Sequence, residues 1–185
     1  YLTDVLNLMA KQREAQKVQR LIRQAKIPVI KTFEGYQFDP ITFPPGFSKE
    51  DLLSLNFIEQ KQNILCIGAV GTGKTYLATA LAVKACSKGK KAKFYRANDL
   101  CTELVEKHRL GNLPKSLKQL EKLDLIILDE VGYIPFDKLS SQLLFNVIAN
   151  SYEKQSVIIT SNLEFGRWND IFRDDRLTAA LIDRL

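Results

Sequence analysis

With 185 residues, 45% of them hydrophobic and 26% charged, the chain has the composition of one ordinary globular domain with room for a core. No apolar run approaches the ~20 residues of a membrane span, and nothing resembles a signal peptide. Cys66, Cys86 and Cys101 are unclustered and His108 is the only histidine, which argues against a zinc site and for a reducing cytosol.

The net charge of +6 is unevenly spread: residues 1–31 hold seven basic residues against two acidic ones. Residues 2–26 lack proline and glycine, and Val5, Leu8, Ala15, Val18, Ile22 and Ala25 recur at helical spacing, so the chain opens on a helix with a narrow apolar stripe. Ile27-Pro28 ends that helix, because the residue before proline is pushed out of the α region. The basic excess points to a polyanionic partner, with Arg13, Lys17, Arg20 and Arg23 as candidate phosphate contacts. A solvated helix packed on the body is the plainer alternative.

Residues 29–62 scatter Phe33, Tyr36, Phe38, Phe43 and Phe47 among Pro40, Pro44, Pro45 and Gly46, which reads as an irregular segment laid over the core. Ser48 with Asp51 three residues later resembles a capping box and opens a short helix. Aromatics just ahead of a phosphate loop can cover an adenine ring, Phe38 being the first candidate, or simply pack inward.

The next stretch is the most informative in the chain. Gly68, Ala69, Val70, Gly71, Thr72, Gly73, Lys74 and Thr75 follow the apolar run Ile64–Ile67 and precede a helix-favouring run from Tyr76 to Ala82. Strand, glycine loop and helix are the context in which G-x-x-x-x-G-K-[ST] binds phosphates. Glycines let backbone N–H groups approach the anion, and the helix presents the positive end of its dipole. Lys74 is expected on the β- and γ-phosphates of ATP and the Thr75 hydroxyl on Mg²⁺. Gly68 through Tyr76, with Phe38, form the expected nucleotide-binding set.

Farther on, Ala92-Lys93-Phe94-Tyr95 reads as a short strand, and Asn98 or Asp99 caps a helix to about Arg109. After the break at Gly111-Asn112-Leu113-Pro114 comes a basic helix, so Lys107, His108, Arg109, Lys115 and Lys118 form a second positive cluster or simply a solvated surface, with Lys107, Arg109, Lys115, Lys118 and Lys138 as further candidates for DNA contact. Leu123 to Glu130 reads as a central parallel strand buried on both faces, ending in two acids where α/β sheets place ligands. Ser140 to about Tyr152 is an amphipathic helix, and Ser156 to Asn162 is another buried strand. Trp168 and Phe172, one helical turn apart, are expected to face inward. Alternating strands and helices imply an α/β fold, a parallel sheet flanked by helices.

These residues suggest ATP hydrolysis. Asp129 is expected to hold Mg²⁺ through water, and Glu130 to orient or deprotonate the attacking water. Asn162 is placed to bridge that water and the γ-phosphate. Arg176 is the first choice for an arginine supplied to a neighbouring subunit's site, with Arg173 and Arg184 as alternates.

Gly68 to Thr75, Leu125 to Glu130, Ile158 to Asn162, and Asp174-Asp175-Arg176 with Asp183-Arg184-Leu185 together resemble the DnaC/IstB branch of the AAA+ P-loop ATPases, closest to the IstB-like proteins of insertion-sequence transposition. Ile30 to Glu34, Gly132-Tyr133-Ile134-Pro135, and Phe165 with Trp168 are also similar to that family. The resemblance implies a cytoplasmic, nucleoid-associated ATPase that forms homo-oligomers with the ATP site between subunits. It also implies binding of duplex DNA without sequence preference, bending of that DNA, and assistance to a transposase. With the charge pattern, the chain is expected to divide into a basic helical arm, residues 1–28, and an AAA+ core, residues 29–185, whose C-terminal lid is minimal or missing. A helicase loader acting on single strands, and a DNA-bending scaffold with ATP as a structural ligand, are the two alternative readings.

Overall fold

The computed structural model describes residues 2–185, with side chains from Leu6 onward. Helices α1 (Leu2–Gln24), α2 (Lys49–Ser54) and α3 (Asn56–Glu59) precede strand β1 (Ile64–Ile67) and helix α4 (Lys74–Ser87). Then come β2 (Ala92–Arg96), α5 (Ala97–Arg109), α6 (Leu113–Leu120), β3 (Leu125–Val131), α7 (Lys138–Ser151) and β4 (Ser156–Ser161). A 3₁₀ turn (Phe165–Arg167), α8 (Trp168–Phe172) and α9 (Asp175–Ile182) complete the described chain.

The four strands form one sheet in the order β1-β4-β3-β2, every pair parallel. Alternation along β3 divides the core in two. Leu125 and Ile127 point to one face with Ile158, Leu81 and Phe57, while Ile126 and Leu128 point to the other with Val157, Ile159, Leu144 and Trp168. Helices α1 to α4 cover the first face and α5 to α9 the second, so the central strands are buried on both sides, as their continuous apolar runs require. Trp168 and Phe172 are fully enclosed, as expected.

Several boundaries differ from the expected ones. α5 begins at Ala97 directly after β2, with Arg96 at its cap and no side-chain cap, so neither Asn98 nor Asp99 caps it. The buried Ala97, Leu100, Cys101 and Leu104 pull that first turn onto the core and override the capping preference. α7 begins two residues earlier than expected, because the Asp137 carboxylate accepts from the Ser140 N–H and caps it. Asn162 lies just beyond the end of β4.

In α1 the apolar stripe is buried only at its C-terminal end. Ala25 and Leu21 are enclosed, Val18 and Ile22 half-buried, and Leu8 and Ala15 exposed; Val5 has no described side chain. Hydrogen bonds anchor that end, the Phe94 N–H donating to the Ala25 carbonyl (2.8 Å) and Lys93 Nζ to the Gln24 carbonyl (3.2 Å). Along the preceding four turns the described side chains are exposed, Leu6, Leu8 and Met9 among them.

Candidate nucleotide site

The site lies at the carboxyl end of β1, β4 and β3, where their loops converge. β1 passes into the glycine loop by one more ladder bond, the Gly68 N–H donating to the Ser161 carbonyl (3.2 Å). Gly71 and Gly73 adopt φ of +82° and +85°, a left-handed backbone that a side chain would strain. Gly73 is also the cap of α4 and supplies no side chain to its first N–H groups, so these stay available to an anion.

The polar groups of the loop and the neighbouring strands bond to one another. Lys74 Nζ donates to the carbonyls of Gly68 (2.7 Å) and Ala69 (2.6 Å) and to Thr72 Oγ1 (3.3 Å), folded back over its own loop. The Thr75 hydroxyl donates to Asp129, 2.9 and 3.1 Å from its two carboxylate oxygens. Asp129 is buried on β3 and also accepts from Thr160 Oγ1 (2.6 Å) on β4. Thr75 and Asp129, 54 residues apart in sequence, are thus brought together on adjoining elements, with Lys74 beside Thr75 at the start of α4.

Glu130 follows a break in the strand register. Leu128 pairs with Ile159 and Val131 with Ser161, so Asp129 and Glu130 together oppose the single residue Thr160. This two-against-one bulge carries Glu130 at φ +59°, a conformation uncommon for a residue with a Cβ. Its carboxylate is half-exposed, with Arg96 Nε of β2 3.9 Å away. Asn162 sits exposed at the end of β4, between the loop after β1 and the acids after β3.

A cavity of about 970 Å³ opens beside the loop, meeting it at Gly68, Thr72 and Lys74 and walled by Tyr36, Ile41, Phe43, Phe47 and Leu52 of the preceding segment. Phe38, the aromatic expected over an adenine, is not among its lining residues, and neither is Tyr76. Phe38 packs instead on Phe33 and Tyr36 under Lys49, and Tyr36 takes the position facing the cavity. Tyr36 stacks on Tyr76 with centroids 5.0 Å apart, and the Tyr76 hydroxyl donates to the Thr32 carbonyl (2.9 Å), clamping the segment onto α4. Burial raises the pKa of the Tyr36 hydroxyl, with Cys66 and Tyr76 adding to the shift. Burial also pushes the Cys66 thiol of β1 up to about 12 against the opposing effect of Lys74, so it stays a neutral packing group.

The three arginines near the C-terminus differ in what they do. Arg184 donates to the Ala180 carbonyl (2.6 Å) and lies over the Phe145 ring. Arg173 is exposed at the left-handed cap of α8. Arg176 is exposed on the first turn of α9. Of the basic residues expected to meet DNA, Arg13, Lys17, Arg20 and Arg23 are exposed along α1, and Lys107, Arg109, Lys115 and Lys118 fall on the α5–α6 hairpin, Lys107 half-buried. Arg109 is engaged by Glu106 through both Nε (3.0 Å) and Nη2 (2.6 Å), and Lys138 stands apart on α7.

Thr160, Arg96 and Tyr36 were not singled out by sequence reasoning. A hydroxyl in the otherwise apolar run Val157-Ile158-Ile159 is the signal for Thr160. Arg96 has none, because only the folded sheet brings it to the site, and Tyr36 is one of several aromatics whose spacing does not rank them.

A glycine loop between β1 and α4, with an acidic pair two strands away on a parallel sheet of order β1-β4-β3-β2, defines a P-loop protein of the AAA+ class. Solved structures of that fold agree with it. The DnaC helicase loader superposes with a TM-score of 0.61 at 20% identity, over 82% of this chain and 94% of that one. DnaA bound to AMPPCP and single-stranded DNA superposes with a TM-score of 0.63 at 20% identity, over 82% of this chain and 48% of DnaA. Within that class the chain belongs to the family described as IstB-like ATP binding protein, whose profile matches residues 1–185. A relative named for ATP binding in insertion sequence IS5376 of Geobacillus stearothermophilus is 37% identical over all of this chain and 74% of its own length. Its counterpart from IS21 of Pseudomonas aeruginosa is 36% identical over 94% of this chain and 65% of its own length, so the chain spans only part of these relatives. Among the described residues no helix is long and apolar enough to cross a membrane.

Proposed function

We propose that the protein is an ATPase that assembles on DNA with ATP bound and hydrolyses it to release or reset the assembly, serving a transposase of its insertion sequence. The observation that carries the reading is the contact of Thr75 with Asp129 beneath the Lys74 loop, with Glu130 held beside it on the bulge. Two hard oxygen donors so close together suit Mg²⁺, with the Thr75 hydroxyl and Asp129 carboxylate holding it. When bound, the ion would neutralise charge on the β- and γ-phosphates.

The remaining roles fall to the chain's own groups. Lys74 leaves the carbonyls of Gly68 and Ala69 for the phosphate oxygens, a stronger, charge-assisted partner. The base lies in the cavity faced by Tyr36 and Phe43. Glu130 accepts a proton from water as the water oxygen bonds to the γ-phosphorus and the bond to ADP breaks. Asn162 orients that water. Arg176, exposed on α9, reaches a neighbouring copy's site and offsets the charge that develops there. The exposed bases of α1 and the α5–α6 hairpin take duplex phosphates without reading sequence. The relatives' association with insertion sequences supports the transposase as client.

Glu130→Gln tests the proposal. It retains ATP and should accumulate as multi-subunit assemblies on duplex DNA in electron micrographs while turnover falls at least about 100-fold. Monomers in the presence of ATP and duplex would reject the assembly, and tighter binding to single strands at matched salt would favour the loader reading.

A further inference from the structure

The geometry points to Thr160 as the positioning residue of this site: a single hydroxyl that aims both Asp129 and Glu130. The inference rests on the ATPase reading above and adds a residue to it. Thr160 is buried at 1% exposure on the central strand β4, and its β-branched side chain has restricted rotamer freedom. Its hydroxyl makes two hydrogen bonds. It donates to Asp129 Oδ1 at 2.6 Å and accepts from the Glu130 N–H at 2.9 Å.

Both bonds answer a need created by the bulge. An unbulged strand would send consecutive side chains to opposite faces, turning Glu130 away from the face that Asp129 addresses. With two residues set against one, Glu130 is re-aimed, but its N–H leaves the ladder and requires another acceptor. Thr160 is that acceptor, and it secures the left-handed backbone of Glu130 at φ +59°. The hydroxyl's one proton is then committed to Asp129.

Asp129 accepts from two hydroxyls, and they are not equivalent. The Thr75 hydroxyl stands at the loop, where its lone pairs can serve a cation while its proton stays on Asp129, so its geometry answers to the bound ligand as well as to Asp129. Thr160 faces the interior and keeps its bond, holding the carboxylate in one orientation whether or not the cation is present. One side chain therefore couples the group that binds metal to the group that handles the attacking water.

The test compares Thr160→Val, which keeps the shape and removes the hydroxyl, with Thr160→Ser, which keeps the hydroxyl. Binding of a fluorescent ATP analogue is titrated with and without Mg²⁺, and steady-state turnover gives kcat and KM. Thr160→Val should raise the Mg²⁺ concentration for half-maximal tightening about tenfold and lower kcat about 10–100-fold, the range for groups that orient metal ligands. KM for Mg-saturated nucleotide and metal-free analogue binding should stay within about twofold, since Thr160 does not touch the loop, and Thr160→Ser should restore both lost properties. Wild-type kcat and Mg²⁺ dependence in a folded Thr160→Val would overturn the assignment. So would a Thr160→Ser as impaired as Thr160→Val, or an equal loss of metal-free binding in both. If Thr160→Val fails to fold, Thr160→Cys, with its weak donor, takes its place against the same outcomes. A wild-type protein that binds nucleotide in a Mg²⁺-dependent way but never hydrolyses it would remove the ATPase reading, and the Mg²⁺ titration would still judge the bond to Asp129.

Discussion

At the carboxyl edge of the sheet, Thr75, Asp129, Thr160 and Glu130 are joined by hydrogen bonds beside the Lys74 loop, whereas among the described residues the first four turns of α1 leave Leu6, Leu8 and Met9 exposed. Residues 2–17 extend about 24 Å at 1.5 Å per residue, and an isolated helix of that length is marginal in water. The hydrogen bonds of Thr160 fix the acids of the site within the chain's own packing. Along α1, by contrast, Leu6, Leu8 and Met9 stand in solvent beside a run of basic residues. The two regions therefore answer differently to substitution.

Lys74→Ala should separate them most sharply. ATP turnover falls about 10²–10³-fold or more, as for loss of one preorganised charge on a developing anion, while the unfolding midpoint stays put. The midpoint holds because the carbonyls that Lys74 now engages can turn to water. Unchanged turnover would remove the nucleotide site itself. Gly132→Ala probes the same edge through stability. Gly132 follows Val131 at φ +90°, and an added Cβ would collide with Ile171 Cδ1. Overpacking and left-handed strain together should cost about 2–4 kcal/mol in urea unfolding. Gly111→Ala, at φ +69° in open space, is the control and should cost about 1 kcal/mol.

The two regions also differ in how far the sequence discloses them. Gly68 to Thr75 is legible because backbone conformation and charge are set within eight consecutive residues. The buried strands are legible because a sheet covered on both faces demands apolar runs. The bulge is not, since nothing in Leu128-Asp129-Glu130-Val131 says that two residues will face one, and that register depends on β4, about thirty residues away. Phe38 was preferred to Tyr36 because spacing cannot tell which ring of a draped aromatic segment turns toward a cavity and which packs beneath it. In α1 the periodicity runs the length of the helix, but burial follows only where Phe94 and Lys93 anchor its last turn. Periodicity records a capacity to pack; the partner decides whether it is used.

Replacing Arg13, Lys17, Arg20 and Arg23 with alanine sharpens the contrast from the arm's side. If these bases meet phosphates, duplex affinity should fall about 10–100-fold near physiological salt. The slope of log K against log[salt] should flatten by up to about 3.6, or 0.9 per contact. ATP turnover without DNA should be unaffected, because no residue of the set approaches the glycine loop. An unchanged salt slope would return the arm to a solvated helix. Arg109→Ala should do less than any of the four, since Glu106 already occupies that guanidinium.

The smallest effect is expected between the two regions, at the cap of α2 below the cavity wall. Ser48 Oγ donates to Asp51 Oδ2 (2.6 Å) and accepts from the Asp51 N–H (3.1 Å), while the Ser48 N–H donates to the same carboxylate (2.8 Å). The side-chain bond from Ser48, and then the backbone one, lower the Asp51 pKa below its ordinary value of 3.8. A carboxylate depressed in the folded state contributes stability that is present above the unfolded pKa and lost as pH falls through the folded one. Ser48→Ala should therefore lower Tm by about 2–4 °C near neutrality. That difference should hold down to about pH 5 and shrink below about pH 4. A difference that widened on acidification would mean that the cap acts through something other than the Asp51 charge.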